Sequence, residues 1–468
     1  MRLWSYRGLL VATCVIFLAA LISPAQSAVP GPNQTASLTW TDARKVEMAA
    51  NVRGQLVHSW QGYRQYAWGH DELRPLSKGF KDWYDASLYM TPVDALDTLV
   101  LTGLTEQADQ ARELIAKDLS FDQDIYVKNF EITIRMLGGL LSSYQLTGDK
   151  RLLALAEDLG KRLLPAFNSP TGLPYVYVNL KTGAVRGVET NPAEAGTLLL
   201  EFGTLSKLTG KPVYYDKAKR ALVEVYNRRS TIGLVGGSIN VETGKWTDTD
   251  SHISGGIDSY YEYLFKAWKL FGDEDCLRMW KASITSINQY LADESHDDLW
   301  YSHADMNTGK RAATEFGALD AFFPAVLALS GDMPRAERLL DSCYKMWTAH
   351  GIEPESFDYA TMKSTIPNYE LRPEIIESTY YVYFFSGDSR YLQMGQTYYD
   401  ALVKNCRTDS GFAALSSVIT MEKKDAMESF FLAETLKYLY LLYAPKSTLD
   451  LDTVVFNTEA HPLHRTWK

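Results

Sequence analysis

Apolar and amphipathic segments alternate along this chain, and a glycine turn separates them about once every sixty residues. The turns contain Gly148, Gly210, Gly272, Gly331 and Gly387, and subtraction gives spacings of 62, 62, 59 and 56 residues. The segment before each glycine is apolar, whereas the segment after it places apolar residues three and four positions apart. This pattern predicts repeated helix pairs, in which a buried helix ends at the glycine and a half-exposed helix follows.

A carboxylate precedes each of these glycines by 13 to 17 residues, again by subtraction, so each buried helix is predicted to begin near an acid. The acids are Glu131, Glu194, Asp258, Glu315 and Glu374. Further buried helices near residues 91–103 and 427–443 bring the total to seven, each with an exposed partner. An open solenoid would hold such acids in a line, whereas a closed ring would gather them at one mouth. We favour the ring: an all-α (α/α)7 barrel of seven inner and seven outer helices.

A second repeat predicts short β-hairpins beside the acids. Residues 179–183 (NLKTG), 240–244 (NVETG) and 305–309 (DMNTG) lie 61 and 65 residues apart by subtraction and follow β-prone residues. Each stretch is typical of a hairpin turn with glycine at a positive φ angle. Because each turn precedes an acid-bearing helix, we expect the hairpins to wall the mouth of the barrel.

The N-terminus differs from the rest of the chain. Arg2 and Arg7 precede an apolar run over residues 9–22, which predicts a secretory signal peptide over residues 1–27. Residues 28–40 are expected to be a flexible mature N-terminus. The continuous repeat then predicts one catalytic domain over residues 41–468, although the length alone would suggest about three domains. The protein is therefore expected to be exported, with no membrane association after signal cleavage.

Charge and cysteine content narrow the function further. The net charge of −10 becomes −12 when the two signal arginines are removed, which argues against nucleic acid or an anionic membrane as a partner. Three cysteines remain after cleavage, Cys276, Cys343 and Cys406, and an odd number leaves at least one free thiol. No metal-binding spacing includes them, so we interpret all three as small buried packing residues. We expect a monomer.

Acids gathered at one mouth predict carboxylate chemistry. Any one acid at a helix N-terminus has a purely structural explanation. When several acids are crowded together, their mutual repulsion keeps some carboxyl groups protonated while others are ionised. That mixture suits paired acid and base catalysis, and it attracts a hard cation. Aromatic residues near the acids could stack on sugar rings: Phe130, Tyr260, Tyr261, Phe430 and Phe431. The sequence lacks a serine nucleophile elbow, a zincin motif, a phosphate loop and a dinucleotide fingerprint, so glycoside hydrolysis is the leading class.

Seven long stretches of the sequence carry a family resemblance. They are residues 66–73 (YAWGHDEL), 91–99 (TPVDALDTL), 130–139 (FEITIRMLGG), 257–263 (IDSYYEY), 371–378 (LRPEIIES), 427–435 (MESFFLAET) and 456–462 (FNTEAHP). Together they resemble glycoside hydrolase family 47, the class I α-1,2-mannosidases, over nearly the whole mature chain. The resemblance also implies an (α/α)7 barrel and an inverting mechanism.

The same resemblance assigns roles to individual residues. It implies that Glu131 is the general acid, that Glu374 is the general base and that Asp258 is a third catalytic carboxylate. It implies a Ca²⁺ ion bound directly by Thr458, with waters held by Glu194, Glu377, Glu434 and Glu459. Substrate would be bound by Arg135, Arg372, Phe430, Glu377 and Glu434. We interpret His70 and His461 as structural.

The sequence also departs from the processing mannosidases of that family. Ala318 replaces a histidine, Ala321 replaces a half-cystine that would pair with Cys343, and Gly256 replaces an arginine. In these positions the chain is more similar to the ER degradation-enhancing mannosidase-like branch and its bacterial relatives. The missing arginine bears on which glycan branch is chosen, and the missing histidine bears on turnover.

The predicted function is that of a calcium-dependent, inverting exo-α-1,2-mannosidase acting on α-1,2-linked mannose oligosaccharides or N-glycans. An alternative is a protein that recognises mannose glycans or glycoproteins with little turnover, although such a protein would not need Glu131, Asp258 and Glu374 together. A barrel-type lyase or epimerase is a third possibility. It would call for a histidine or tyrosine base, and the five acid-bearing helices contain no histidine.

Overall fold

The structure is a computed structural model that describes residues 39–466, so the predicted signal peptide and nearly all of segment 28–40 lie outside the described residues. The helical segments α1 to α16 form an outer and an inner set. The outer helices are α1 (Asp42–Tyr66), α3 (Thr105–Asp118), α6 (Lys150–Leu163), α9 (Pro212–Asn227), α11 (Glu274–Tyr290), α13 (Met333–His350) and α15 (Arg390–Asn405). Each of them buries one stripe of side chains, as the amphipathic pattern predicts.

The inner set is buried on nearly all sides. It comprises α2 (Met90–Leu101), α4 (Asn129–Ile132) with α5 (Gly138–Thr147), α7 (Pro192–Gly196) with α8 (Leu199–Thr209), α10 (Asp258–Phe271), α12 (Phe323–Leu329), α14 (Glu374–Ser386) and α16 (Leu436–Tyr443). π-Helical turns at Thr133–Leu137 and Phe431–Thr435 join α4 to α5 and lead into α16. Short 3₁₀ turns lie at Leu164–Phe167, Ser295–Asp297, Leu319–Phe322 and Lys446–Thr448.

Contacts between successive inner helices close the ring. Contacts run from α2 to α5, α8, α10, α12, α14 and α16 in turn, and the π turn before α16 contacts α2. The predicted barrel of seven inner and seven outer helices is therefore confirmed. No helix in residues 39–466 has the length and apolarity needed to cross a bilayer.

The glycine turns end inner helices as expected. Gly148, Gly210, Gly272 and Gly387 cap their helices in the left-handed conformation, with φ between 70° and 73°. A Cβ atom is disfavoured at such angles, so glycine suits this position. Gly331 differs slightly: it follows the cap residue Ser330 and has a φ of 95°.

One sequence expectation is wrong. Glu315 does not begin a buried helix; it is an exposed residue in the strand Glu315–Gly317, which pairs with Ser356–Asp358. Its carboxylate accepts a hydrogen bond from the Ser356 hydroxyl. The inner helical segment begins four residues later with the 3₁₀ turn, where the buried acid is Asp320. Pairing with the neighbouring hairpin therefore outweighed the helical spacing at this repeat.

The remaining regular elements of the described residues are short antiparallel strands. The two-stranded sheets are Glu72–Arg74 with Gly79–Lys81, Ala292–Asp293 with Trp300–Tyr301, Arg407–Thr408 with Gly411–Phe412, Ala414–Ser417 with Glu422–Lys424, and Val454–Phe456 with Pro462–His464. The three-stranded sheets are Tyr126–Lys128, Tyr177–Asn179 and Val185–Arg186; Glu189–Thr190, Ser238–Asn240 and Trp246–Asp248; Asp250–Ser251, His303–Asp305 and Arg311–Ala313; and Glu315–Gly317, Ser356–Asp358 and Lys363–Ile366. The three predicted hairpin turns are present, with φ values of 72°, 68° and 68° at Gly183, Gly244 and Gly309.

Candidate active site

The N-terminal ends of the inner helices surround a cavity of about 460 Å³. Four of the five predicted acids line it: Glu131 from α4, Glu194 from α7, Asp258 from α10 and Glu374 from α14. The ring brings these acids together because its inner helices place their N-termini around one opening. Arg135, Arg372, Phe430, Glu434, Thr458 and Glu459 line the same cavity.

Thr458 reaches the cavity on a buried loop between the strands Val454–Phe456 and Pro462–His464. Asn457 organises this loop: its amide donates to the Ile134 carbonyl at 2.9 Å and to a Glu201 carboxylate oxygen at 2.7 Å. Its side-chain oxygen accepts the backbone N–H groups of Glu459 and His461. These four contacts hold the Thr458 backbone in one position.

A buried charge network supports this loop from below. The His461 ring lies 2.7 Å from Asp97 and 3.2 Å from Asp94, and the Lys437 ammonium lies 2.8 Å from Asp97. Lys437 also donates to the carbonyl of Ala460, a non-glycine residue with φ of 57°. Although burial opposes the shift, Lys437 and His461 lower the pKa of Asp97 to about 2. The network therefore holds a strained residue two positions from Thr458.

Arg135 connects that network to the cavity. It lies in the first π turn, and its guanidinium contacts Glu131 at 3.2 Å, Glu459, and Asp94 at 3.7 Å. π-Helical turns re-aim side chains within a helix and recur at functional sites. Here the turn directs one cation to the proposed acid Glu131 and to an acid beside Thr458.

Two guanidinium groups lie near the ring of Phe430. The Cζ atoms of Arg135 and Arg372 lie 5.7 Å and 5.5 Å from the ring centroid of Phe430. The Arg372 guanidinium in turn donates hydrogen bonds to both carboxylate oxygens of Glu355, and the shortest is 2.5 Å. The residue before it, Leu371, has φ of 64°, so the chain adopts an uncommon conformation next to this cation. Phe430 is 7% exposed, and it offers an aromatic surface to the cavity.

Burial controls the protonation of two predicted catalytic acids. Burial raises the pKa of Glu374 to about 7, against the opposing effect of Arg372, and Glu374 Oε2 has no hydrogen-bond partner among the described residues. Burial also raises the pKa of Asp258 to about 7, and the nearby Glu262 adds to the rise. The Asp258 carboxylate accepts the Ser259 N–H at 2.7 Å. Both groups can exchange a proton near neutral pH.

Behind these acids lies a smaller chamber of about 40 Å³. Its oxygen-bearing residues are Asp258, Ser259, Glu262, Glu374, Glu377, Glu434 and Thr458. Burial raises the pKa of Glu377 to about 8 and that of Glu434 well above its usual value. Lys266 lies 3.9 Å from Glu377 and also pairs with Glu262. The chamber therefore presents many carboxylate and hydroxyl oxygens and few cationic side chains. Such a lining fits a hard divalent metal ion, which binds six to eight oxygens.

Two of the predicted metal-associated acids lie outside this chamber. Glu194 lines the larger cavity, where the Lys128 ammonium lies 2.7 Å from it and 4.0 Å from Glu131. Glu459 also lines the larger cavity and is paired with Arg135. Glu377 and Glu434 line the chamber together with Thr458.

The site also contains residues that the sequence interpretation did not assign. Glu262 lies four residues after Asp258, so it projects from the same face of α10, and this spacing could have revealed it. Glu355 and Lys128 come from a strand–loop region outside the inner helices, and no helical spacing marks them. Asp94 and Asp97 lie on α2, three residues apart, within a stretch that the family resemblance already included.

The fold is an (α/α) barrel, and several carboxylates line its central cavity. Comparison with known proteins makes this more specific, since the sequence pattern described as glycosyl hydrolase family 47 matches residues 55–465. The chain is 37% identical to alpha-mannosidase I MNS5 of Arabidopsis thaliana, over 90% of this chain and 78% of that protein. It is 36% identical to ER degradation-enhancing alpha-mannosidase-like protein 2 of Mus musculus, over 95% of this chain and 82% of that protein.

A solved structure agrees with these relatives. The alpha-1,2-mannosidase from Trichoderma reesei matches with a TM-score of 0.83 and 29% identity, over 90% of this chain and 99% of that one. The chain belongs to glycosyl hydrolase family 47, and it is a glycoside hydrolase of the α-mannosidase type. The family, the fold and the class of enzyme predicted from the sequence are thereby confirmed.

Proposed function

We propose that this enzyme removes terminal α-1,2-linked mannose from oligosaccharides or high-mannose N-glycans, with inversion at the anomeric carbon. The observation that carries the proposal is that Glu131 and Glu374, on separate inner helices, line one cavity together with Asp258 and Thr458. An inverting glycosidase needs an acid and a base on opposite sides of the sugar, with room for a water beside the base. Two acids on different helices of a wide barrel suit that requirement.

In this proposal each acid has its own task. Glu131 protonates the departing glycosidic oxygen, and Arg135 beside it orients its carboxyl group. Glu374 accepts a proton from the attacking water, a role that suits its raised pKa of about 7 and its unpartnered Oε2 atom. Asp258 is a third catalytic carboxylate that shares the chamber with Glu374. Phe430 stacks on the terminal mannose, and Arg372 contacts its hydroxyl groups.

The proposed cofactor is Ca²⁺ at the base of the barrel. Thr458 would hold it through its hydroxyl and carbonyl oxygens, while Glu377, Glu434, Glu459 and Glu194 would act through water. The bound ion would supply positive charge that offsets the buried carboxylates and orients hydroxyl groups of the sugar. The chamber beside Thr458 supports this assignment because its lining is rich in oxygen and poor in cations.

Two departures from the processing mannosidases bear on activity: Gly256 on the choice of glycan branch, and Ala318 on turnover. Gly256 lines the cavity with φ of 93°, where the arginine of the processing mannosidases would be strained. Ala318 is fully buried, and its methyl side chain has no polar atom to replace the family histidine. Both features favour activity like that of the degradation-enhancing relatives. We also propose that the enzyme is exported and monomeric. The alternative is a mannose-glycan recognition protein with little turnover.

Hydrolysis of α-1,2-mannobiose tests the proposal. We expect mannose release in the presence of calcium, loss of release after exhaustive chelation, and recovery when calcium returns. The α-1,3- and α-1,6-linked isomers serve as matched substrates and should be cleaved much more slowly. Binding of the disaccharide without turnover, by protein whose melting curve shows that it is folded, would favour the recognition protein instead.

A further inference from the structure

Three potential metal ligands lie on one face of the small sheet formed by Asp250–Ser251, His303–Asp305 and Arg311–Ala313. The first two strands are antiparallel, with Asp250 opposite Asp305 and Ser251 opposite Ala304. One further step in this register places His252 opposite His303. Side chains alternate between the faces of a strand, so Asp250 and His252 share the face that His303 occupies.

The side chains meet as this register predicts. His303 Nδ1 lies 2.7 Å from Asp250 Oδ2, and the His252 and His303 rings stack with centroids 4.4 Å apart. One potential ligand atom from each residue lies within 4.8 Å of the other two. The second Asp250 oxygen, Oδ1, is buried and has no hydrogen-bond partner among the described residues. An unpartnered buried carboxylate oxygen next to two imidazoles is an unusual arrangement that a cation would satisfy.

A metal ion bound by these side chains would replace two local hydrogen bonds. His252 Nδ1 accepts the backbone N–H of Ser254 at 3.1 Å, so its lone pair is on that nitrogen, and a metal ion would have to replace this local bond. His303 Nδ1 lies at Asp250 Oδ2, so a metal ion bound by both of these atoms would take the place of the proton between them.

We propose that Asp250, His252 and His303 bind a first-row transition-metal ion, with Zn²⁺ as the expected occupant. Two imidazoles and one carboxylate suit zinc, whereas calcium prefers a shell of oxygen ligands. Three protein ligands leave a position open for water. None of the three residues lines the catalytic cavity or the chamber at Thr458, so this site is separate from the proposed calcium site.

The proposed ion would fasten the start of α10. Residues 252–257 connect the site to Asp258, and Gly255 and Gly256 of this segment line the catalytic cavity. The Ser254 carbonyl accepts the backbone N–H of Asp258 at 3.0 Å. A metal ion that joins His252 to the neighbouring strand would therefore restrain the loop that positions a catalytic carboxylate, and it would raise the melting temperature.

Isothermal titration of the mature chain, prepared without a polyhistidine tag, tests this proposal. Zn²⁺ is added while Ca²⁺ is held in excess, which keeps the acid cluster occupied by calcium. We expect one equivalent of Zn²⁺ to bind. His252→Ala and His303→Ala should each weaken this binding by at least about tenfold, because even the loss of a residue that only hydrogen-bonds a metal ligand has an effect of that size. Asp250→Asn preserves a hydrogen bond to His303 while removing the anionic ligand, and it should also weaken binding.

His350→Ala is the matched control, because the His350 imidazole contacts the Ser364 hydroxyl away from the three proposed ligands. It should bind Zn²⁺ as the unaltered protein does. Melting curves without metal show whether each variant is folded, and His252→Ala with Asp250→Asn carries the test if His303→Ala unfolds. The proposal is overturned if the unaltered protein binds no stoichiometric Zn²⁺ under excess Ca²⁺, or if the ligand variants bind as tightly as the control.

Discussion

The imidazole of His461 is held against Asp97, with Nδ1 2.7 Å from Oδ2, and neither side chain is exposed to solvent. The contact joins the loop that carries Thr458 to the inner helix α2, which is more than three hundred residues earlier in the chain. Asp94 contacts the other ring nitrogen at 3.2 Å. Although burial opposes it, Asp97 and Asp94 raise the pKa of His461, and their two contacts with the ring hold the loop in place.

Replacing His461 should destabilise the fold strongly. His461→Ala leaves Asp97 and Asp94 buried without the imidazole that pairs with them, and removing one partner of a buried pair costs about 3–5 kcal/mol. Urea unfolding followed by circular dichroism measures the loss. His350→Ala, at a partly exposed position, should change the unfolding free energy by no more than about 0.5 kcal/mol. Equal effects of the two substitutions would contradict the role given to the buried network.

Replacing Thr458 should weaken the response to calcium more than it weakens the fold. Thr458→Ala removes the proposed hydroxyl ligand, so the rise in melting temperature on adding Ca²⁺ should shrink, because a ligand that binds only the folded state stabilises it. Thr453→Ala, at an exposed threonine before the same loop, is the control and should keep the full shift. A calcium shift that survives Thr458→Ala would place the ion elsewhere.

Without calcium, stability should fall as the pH rises from about 5 to about 8. The pKa values of Glu374, Asp258 and Glu377 are raised in the folded protein to about 7, 7 and 8, so the folded state binds more protons than the unfolded chain in this range. The raised pKa of His461 acts in the same direction. Denaturant titrations at several pH values measure the slope, and Glu374→Gln should reduce it. A slope of opposite sign would show that the folded protein binds fewer protons than the unfolded chain and would contradict the raised pKa values.

The first sugar released should be β-mannose. Inversion requires a water between the anomeric carbon and the base, so the Glu131 and Glu374 carboxyls should be roughly 6.5–9.5 Å apart in the bound enzyme. Proton NMR of the earliest product distinguishes the anomers. Glu374→Gln should keep sugar binding and lose about 10²-fold or more in turnover. Early α-mannose would instead indicate retention and remove the base role from Glu374.

Restoring the family arginine at position 256 should strain the backbone. Gly256 has φ of 93°, so Gly256→Arg is expected to lower the unfolding free energy by about 1–3 kcal/mol. Gly54→Arg is the matched control, since Gly54 lies on the exposed face of α1 with open space around it, and this change should be neutral or stabilising. A stable Gly256→Arg variant with altered branch preference would show that the loop adapts.

Only part of the acidic site was predictable from sequence spacing. Glu131, Glu194, Asp258 and Glu374 were found because each begins an inner helix, and a ring brings helix N-termini together. Glu315 followed the same spacing, but its segment paired with the strand Ser356–Asp358. Strand pairing depends on a partner forty residues away, and local periodicity contains no information about it.

By itself the sequence determined the helix pairs, their number and the family, because periodicity, glycine caps and long motifs are local properties of the chain. Only the tertiary structure decided which side chains meet. Arg135 reaches Glu459, and His461 reaches Asp97, across more than three hundred residues. The face shared by Asp250, His252 and His303 likewise depends on the register between two strands. Ring closure and strand register create these contacts, and each depends on the whole folded chain.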